Sequence, residues 1–99
     1  MASCREFLDF ILSQVSDLGA DVSWRKMMGE YIIYYRGKII GGIYDNRFLV
    51  KSAKSVIQNI RGEMAVPYDS GKPMFLITDV ENPDTLCLAI KMVYDELYT

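Results

Sequence analysis

The residues of this chain best suited to chemistry are a set of carboxylates, two cysteines and a glycine-lysine pair, and each has an ordinary explanation. Glu81, Asp84, Asp95 and Glu96 fall at turns and helix ends, where capping and solvation account for them. Cys4 and Cys87 are too few for a structural zinc site by themselves. The chain contains no histidine, which removes the commonest general base and the usual activation of serine and cysteine nucleophiles. In DSGKPMF, Gly71-Lys72 has the form of the end of a phosphate-binding loop. The upstream glycine is off its required spacing, however, Pro73 replaces the serine or threonine that would bind magnesium, and a strand pattern follows where a helix should begin. No catalytic residue, cofactor or metal is expected, and the sequence reads as a non-enzyme.

What the chain has instead is charge set among aromatics. Between Arg25 and Arg61 lie eight basic and two acidic residues, while the flanks carry three basic and eleven acidic, within a net charge of −2. A basic middle between acidic ends can become one basic face of the fold. Arg25, Lys26, Arg36, Lys38, Arg47, Lys51 and Lys54 are the candidate residues for such a surface, directed either at nucleic acid or at a protein partner. Edge strands also use lysine and arginine to discourage aggregation, and duplex-binding domains usually carry a clear positive excess overall, so nucleic acid ranks second. The stretch RKMMGEYIIYYRGK, residues 25 to 38, supplies several of these cations together with Tyr31, Tyr34 and Tyr35. Those tyrosines lack the ring motifs of an RNA-recognition sheet, and core packing with hydroxyls at the rim is their expected use.

The elements that must position these residues form one domain spanning residues 1–99. Apolar residues at 51% against 24% charged argue for a folded core rather than disorder. Apolar runs such as Tyr31 to Tyr35 are far shorter than the roughly 20 residues of a membrane span. Glu6 and Asp9 interrupt the apolar stretch a signal peptide would need, so a cytoplasmic location is expected, with both cysteines reduced and buried.

Helical spacing comes first, with Phe7, Ile11, Val15 and Leu18 as the apolar stripe of a helix over about 5–18, a Ser3–Glu6 capping box at its start and Gly19 past its end. Strands are predicted at Val22–Met27, Glu30–Arg36, Lys38–Tyr44 and Arg47–Lys51, with turns at Arg36-Gly37 and Asp45-Asn46. A short helix capped by Ser52 has Val56, Ile57 and Ile60 as its stripe and Gly62 as its stop. An irregular connection over 63–73 precedes a fifth strand at Met74–Thr78. Asn82-Pro83 then opens a last helix, with Leu86, Ile90, Val93 and Leu97 on one side. The fold class is α+β, an antiparallel meander with helices packed on it, in the order α-β-β-β-β-α-β-α.

Within the meander both faces are apolar: Tyr31, Ile33 and Tyr35 alternate with Ile32 and Tyr34, and Ile39 and Ile43 with Ile40 and Tyr44. A solvated face would alternate apolar with polar, so the second face should meet a helix of the same chain or a second subunit. Gly41-Gly42 inside a strand points to a bulge or a close approach by another group.

RKMMGEYIIYYRGKIIGGIYDNRFLVK together with PYDSGKPMFLI resembles the amino-terminal domain of the TfoX/Sxy family, proteins associated with regulation of natural competence. Arg25, Met27, Gly29, Tyr31, Gly37, Gly42, Asp45 and Lys51 stand at matching places, as do Pro67-Tyr68 and Lys72-Pro73. Met28 occupies a place where an aromatic is common in that family and reads as a core substitution of similar bulk. The resemblance implies a two-layer domain similar to secretion-chaperone-like folds, standing alone without the carboxy-terminal helical domain that competence regulators often carry, and it brings no catalytic residues. It also implies a regulatory module linked to competence or transcription that binds a protein partner or itself, with a homodimer as one form. Direct nucleic-acid binding through the basic middle is the alternative, and catalysis from an unrecognised carboxylate or tyrosine site stands third.

Overall fold

A computed structural model of the chain describes residues 4–68 and 71–99. Its first helix, α1, spans Arg5–Gln14 and buries Leu8 and Ile11. The Ser3 cap expected for it lies outside the described residues; Cys4 is the N-cap, and its backbone N–H donates to Asn46 Oδ1 at 2.9 Å. α1 ends earlier than its apolar spacing predicts. Ser13 bonds the Phe10 carbonyl through its hydroxyl, and Leu18 N–H reaches back only three residues, to Val15, so the chain tightens into a 3-10 turn over Ser16–Asp21 with Gly19 at φ 60°. Polar side chains that compete for backbone groups favour such an ending.

A six-stranded antiparallel sheet follows: β1 Val22–Met27, β2 Glu30–Tyr35, β3 Lys38–Tyr44, β4 Arg47–Val50, β5 Gly62–Ala65 and β6 Met74–Ile77, in the spatial order β1-β2-β3-β4-β6-β5. Three two-residue turns join the first four strands. Met28-Gly29, Arg36-Gly37 and Asp45-Asn46 all have both residues at positive φ, the twist that matches two paired strands. The α+β class and the order α-β-β-β-β-α-β-α hold, with β5 inserted before the last strand. The sequence assigns that segment to an irregular connection, because Gly62 looks like a helix stop. Here Gly62 lets β5 approach β6: a Cβ on it would lie 2.1 Å from the Leu76 carbonyl oxygen.

Gly41 plays the same part in the centre. The pairing of β2 with β3 shifts at Ile33/Tyr34, the bulge that the glycine pair suggested. A Cβ on Gly41 would stand 2.1 Å from Leu49 O and 2.6 Å from Val50 Cα, closer than two strands can tolerate.

All three helices pack on one face of the sheet. Tyr31, Ile33, Tyr35, Ile40, Ile43, Phe48, Val50, Phe75 and Ile77 form one buried cluster with Leu8, Ile11 and Val15 from the first helical segment, Val56 and Ile60, and Leu86, Ala89, Ile90 and Val93. Each large apolar side chain so buried stabilises the fold by about 1.5–3 kcal/mol relative to leaving it in water. The last helix, α3, spans Pro83–Tyr98 and is capped as expected, with the Asn82 side chain accepting from the backbone N–H groups of Asp84 and Thr85. The short α2, Lys54–Asn59, departs from expectation: no side chain of its own segment caps it. Glu96 near the end of α3 does so, its two carboxylate oxygens accepting from the N–H groups of Lys54 and Ser55 at 2.8 and 2.9 Å. Those two bonds hold the Glu96 carboxyl below the usual glutamate range. Among the described residues, no helix is long and apolar enough to cross a membrane.

Candidate interaction surface

The sheet's second face carries the candidate site. The strand registers place Arg25 beside Ile32, Ile32 beside Gly42, Gly42 beside Leu49 and Leu49 beside Leu76 in one row across it. Met27 with Glu30, and Tyr44 with Arg47, stand toward the hairpin tips, and Ser23, Tyr34 and Ile39 toward the opposite end. Among the described residues, no helix packs over this side.

Its two halves differ. Over β3 and β4 the connection after β5 folds back across the sheet: Arg47 donates to the carbonyls of Val66 and Pro67 at 3.3 and 3.2 Å. Pro67 is buried, and Tyr68 and Tyr44 rings lie 6.0 Å apart. Leu49 is completely buried although it stands on the side away from the helices. Burial pushes the Tyr44 phenol up, with Tyr68 and the Glu30 carboxylate adding to the shift. Over β1 and β2 the face is open. Ile32 and Tyr34 are half-buried, Ile39 is 42% and Met27 48% exposed.

At the tip of the β1–β2 hairpin Met28 is 96% exposed, with φ at 52°. Its expected role as a core residue is overturned, since the two-residue turn holds it outside the sheet. An unbranched apolar side chain in water on a left-handed backbone meets two costs, of which the backbone alone is about 1–2 kcal/mol.

The seven candidate cations are not gathered into one patch. Arg25 and Lys26 are neighbours on an edge strand and take opposite faces. Arg36 in its turn pairs with Asp21 at 3.2 Å and lies over the rings of Tyr35 and Tyr94. Arg47 is turned onto backbone carbonyls, and Lys51 Nζ donates to the Tyr98 hydroxyl at 2.8 Å while lying over that ring. Lys38 opens β3 opposite Tyr35, and Lys54 opens α2 with its side chain exposed. Arg36, Lys38, Lys51 and Lys54 therefore share the end of the sheet where β2 turns into β3 and β4 leads into α2.

A groove of about 630 Å³ adjoins the roofed half, and Ile39, Tyr44, Tyr68, Pro73 and Leu97 are among the residues that line it. Neither the groove nor the Glu96 cap is visible in the sequence, because both join segments far apart along the chain. Met28-Gly29 did carry a legible signal, a two-residue gap between strand patterns with glycine second.

The remaining reactive groups are ordinary. Cys4 is exposed rather than buried, and Cys87 is half-buried, both as free thiols. Burial, with Asp17 adding to it, pushes the Cys87 thiol up, away from nucleophilic character. Among the described residues, no cluster of three or more cysteine, aspartate or glutamate side chains is placed to hold a metal. Gly71 and Lys72 lead into the strand β6. Compared with protein-family models and with curated proteins, the chain matches none.

Proposed function

We propose that this domain is a non-catalytic, cytoplasmic protein-interaction module of regulatory role, similar to the amino-terminal domain of the TfoX/Sxy family and linked to competence or transcription. It acts by binding a protein partner or a second copy of itself. The observation that carries this reading is Met28: fully presented at a hairpin tip, on a backbone that L residues adopt at a cost, beside the open apolar face of Met27, Ile32, Tyr34 and Ile39. Backbone strain at an exposed apolar residue is sensibly read toward contact with something outside the chain. Recognition of nucleic acid by the basic middle is the lesser reading, since Arg36 and Arg47 already engage groups of the same chain.

Light scattering over a concentration series, with pull-down from the host's own extract, tests the proposal. Concentration-dependent dimerisation, or a stoichiometric partner lost on Met27→Ser with Met28→Asn, is the expected result. A chain that stays monomeric up to about 1 mM, where only associations weaker than roughly 4 kcal/mol escape detection, and that recovers no partner contradicts it.

A further inference from the structure

The groove beside the roofed half of the sheet has an unusual charge balance. Its walls are apolar and aromatic, and among the described residues the charged ones lining it are Lys51 and Lys72. Lys51 is held in place: its ammonium donates to the Tyr98 hydroxyl at 2.8 Å and lies 5.4 Å from the ring centroid, and that hydroxyl donates in turn to the Ile39 carbonyl at 2.7 Å. One of three ammonium donors is thus spent on a neutral phenol. Among the described residues no carboxylate pairs with Lys51. An ordered cation between apolar walls, with no carboxylate paired to it among the described residues, is a favourable position for a carboxylate, because a charge-assisted bond there is stronger than one in open water.

The shape narrows the choice of occupant. At about 630 Å³ the volume suits a ligand, yet the groove is partly open to solvent, so a small anion would leave much of its own surface wet. A nucleic-acid strand would need a run of phosphate contacts, and two lysines supply few. The Tyr44–Tyr68 pair, rings tilted 56° to one another, offers aromatic surface to a bulky side chain, and the exposed Leu97 and Ile39 offer aliphatic surface.

We propose that this groove takes an extended acidic segment of a protein partner, with a carboxylate on Lys51 and Lys72 and apolar or aromatic side chains between Tyr44, Tyr68, Ile39 and Leu97. The proposal rests on the reading of the domain as an interaction module, but uses residues other than the β1–β2 hairpin.

The test is fluorescence anisotropy of the whole chain with a fluorescein-labelled octapeptide alternating glutamate with phenylalanine or leucine. Three labelled comparators are the same peptide with glutamine for glutamate, the same with alanine for the bulky residues, and a single-stranded oligonucleotide. Binding of the first alone, weakened about tenfold by Lys72→Glu and by Lys51→Gln, with amide shifts of Tyr44, Tyr68 and Leu97, is expected. Lys72→Glu alters an exposed residue and leaves the fold intact, so its effect cannot be put down to unfolding. Equal binding of the glutamine peptide, tighter binding of the oligonucleotide, indifference to both lysine variants, or no acid-dependent binding at about 1 mM peptide would overturn the proposal. If it fails while Met28-dependent association persists, the interaction reading stands without this site. The reverse result would retain the peptide site and remove the hairpin.

Discussion

The two faces of the sheet are built from nearly the same residue types and do different things. Ile33 and Ile32 are chain neighbours, yet one is 1% exposed against three helices and the other half-buried with no helix above it. Tyr35 and Tyr34 repeat the contrast, the first set edge-on to Tyr94 of α3 at 5.2 Å, the second on the open side. Apolar character alone therefore does not mark a core. A residue contributes fully to stability only where a second layer removes it from water, and the inner face has that layer while the outer has it only where Arg47 ties down the chain at Val66 and Pro67.

The largest effect should come from the strand that both faces share. Gly41→Ala sets a methyl group against the Leu49 carbonyl, and we expect roughly 4 kcal/mol or more of destabilisation, read as loss of a cooperative urea transition. A mild effect would mean that β3 and β4 are not so closely joined. Ile33→Ala should cost about 2–5 kcal/mol, and Ile32→Ala about 1 kcal/mol or less; equal losses by chemical denaturation would erase the distinction between the faces.

Glu96 is the next and smaller lever, because it links α3 to α2 on the covered side. Its folded pKa lies below the unfolded one, so its contribution is present above the unfolded pKa and fades as pH falls through the folded value. Denaturation midpoints should fall on acidification more steeply in the wild type than in Glu96→Gln, which lacks the titrating group. Parallel curves would show that the carboxylate does not cap α2. Smallest of all, Met28→Asn should raise stability by about 1 kcal/mol, since asparagine accepts φ near 52° more readily, while weakening association. A variant less stable than the wild type would mean that the turn is not strained.

Legibility in the sequence followed locality. β1 to β4, the turns at Arg36-Gly37 and Asp45-Asn46 and the Asn82-Pro83 cap depend on neighbours a few residues apart, and strand composition, two-residue gaps and capping types revealed them. β5 was hidden because Gly62 serves as a strand residue only when Leu76 lies beside it. Glu96 capping Lys54 and Ser55, and Tyr98 holding Lys51, join residues more than forty positions apart, and no periodicity records such contacts. The seven cations were legible as a composition bias, but a bias along the chain does not place side chains on one face: a single step from Arg25 to Lys26 changes sides. Apolar residues on both faces were legible too, but simple alternation set Ile39 with Ile43, whereas the register shift at Ile33/Tyr34 leaves Ile39 exposed and buries Ile40 and Ile43; nor was it legible which face the helices would choose.

The division of labour between the faces is most directly tested by two-dimensional amide spectra of the labelled chain, recorded through a dilution series and again with any partner recovered from extract. Shifts concentrated at Met27, Met28, Ile32, Tyr34 and Ile39, with α1 and the buried side of α3 unmoved, are what we expect of an inner face that stabilises and an outer face that recognises. Shifts confined to the exposed sides of α1 and α3, or none under either condition, would contradict it.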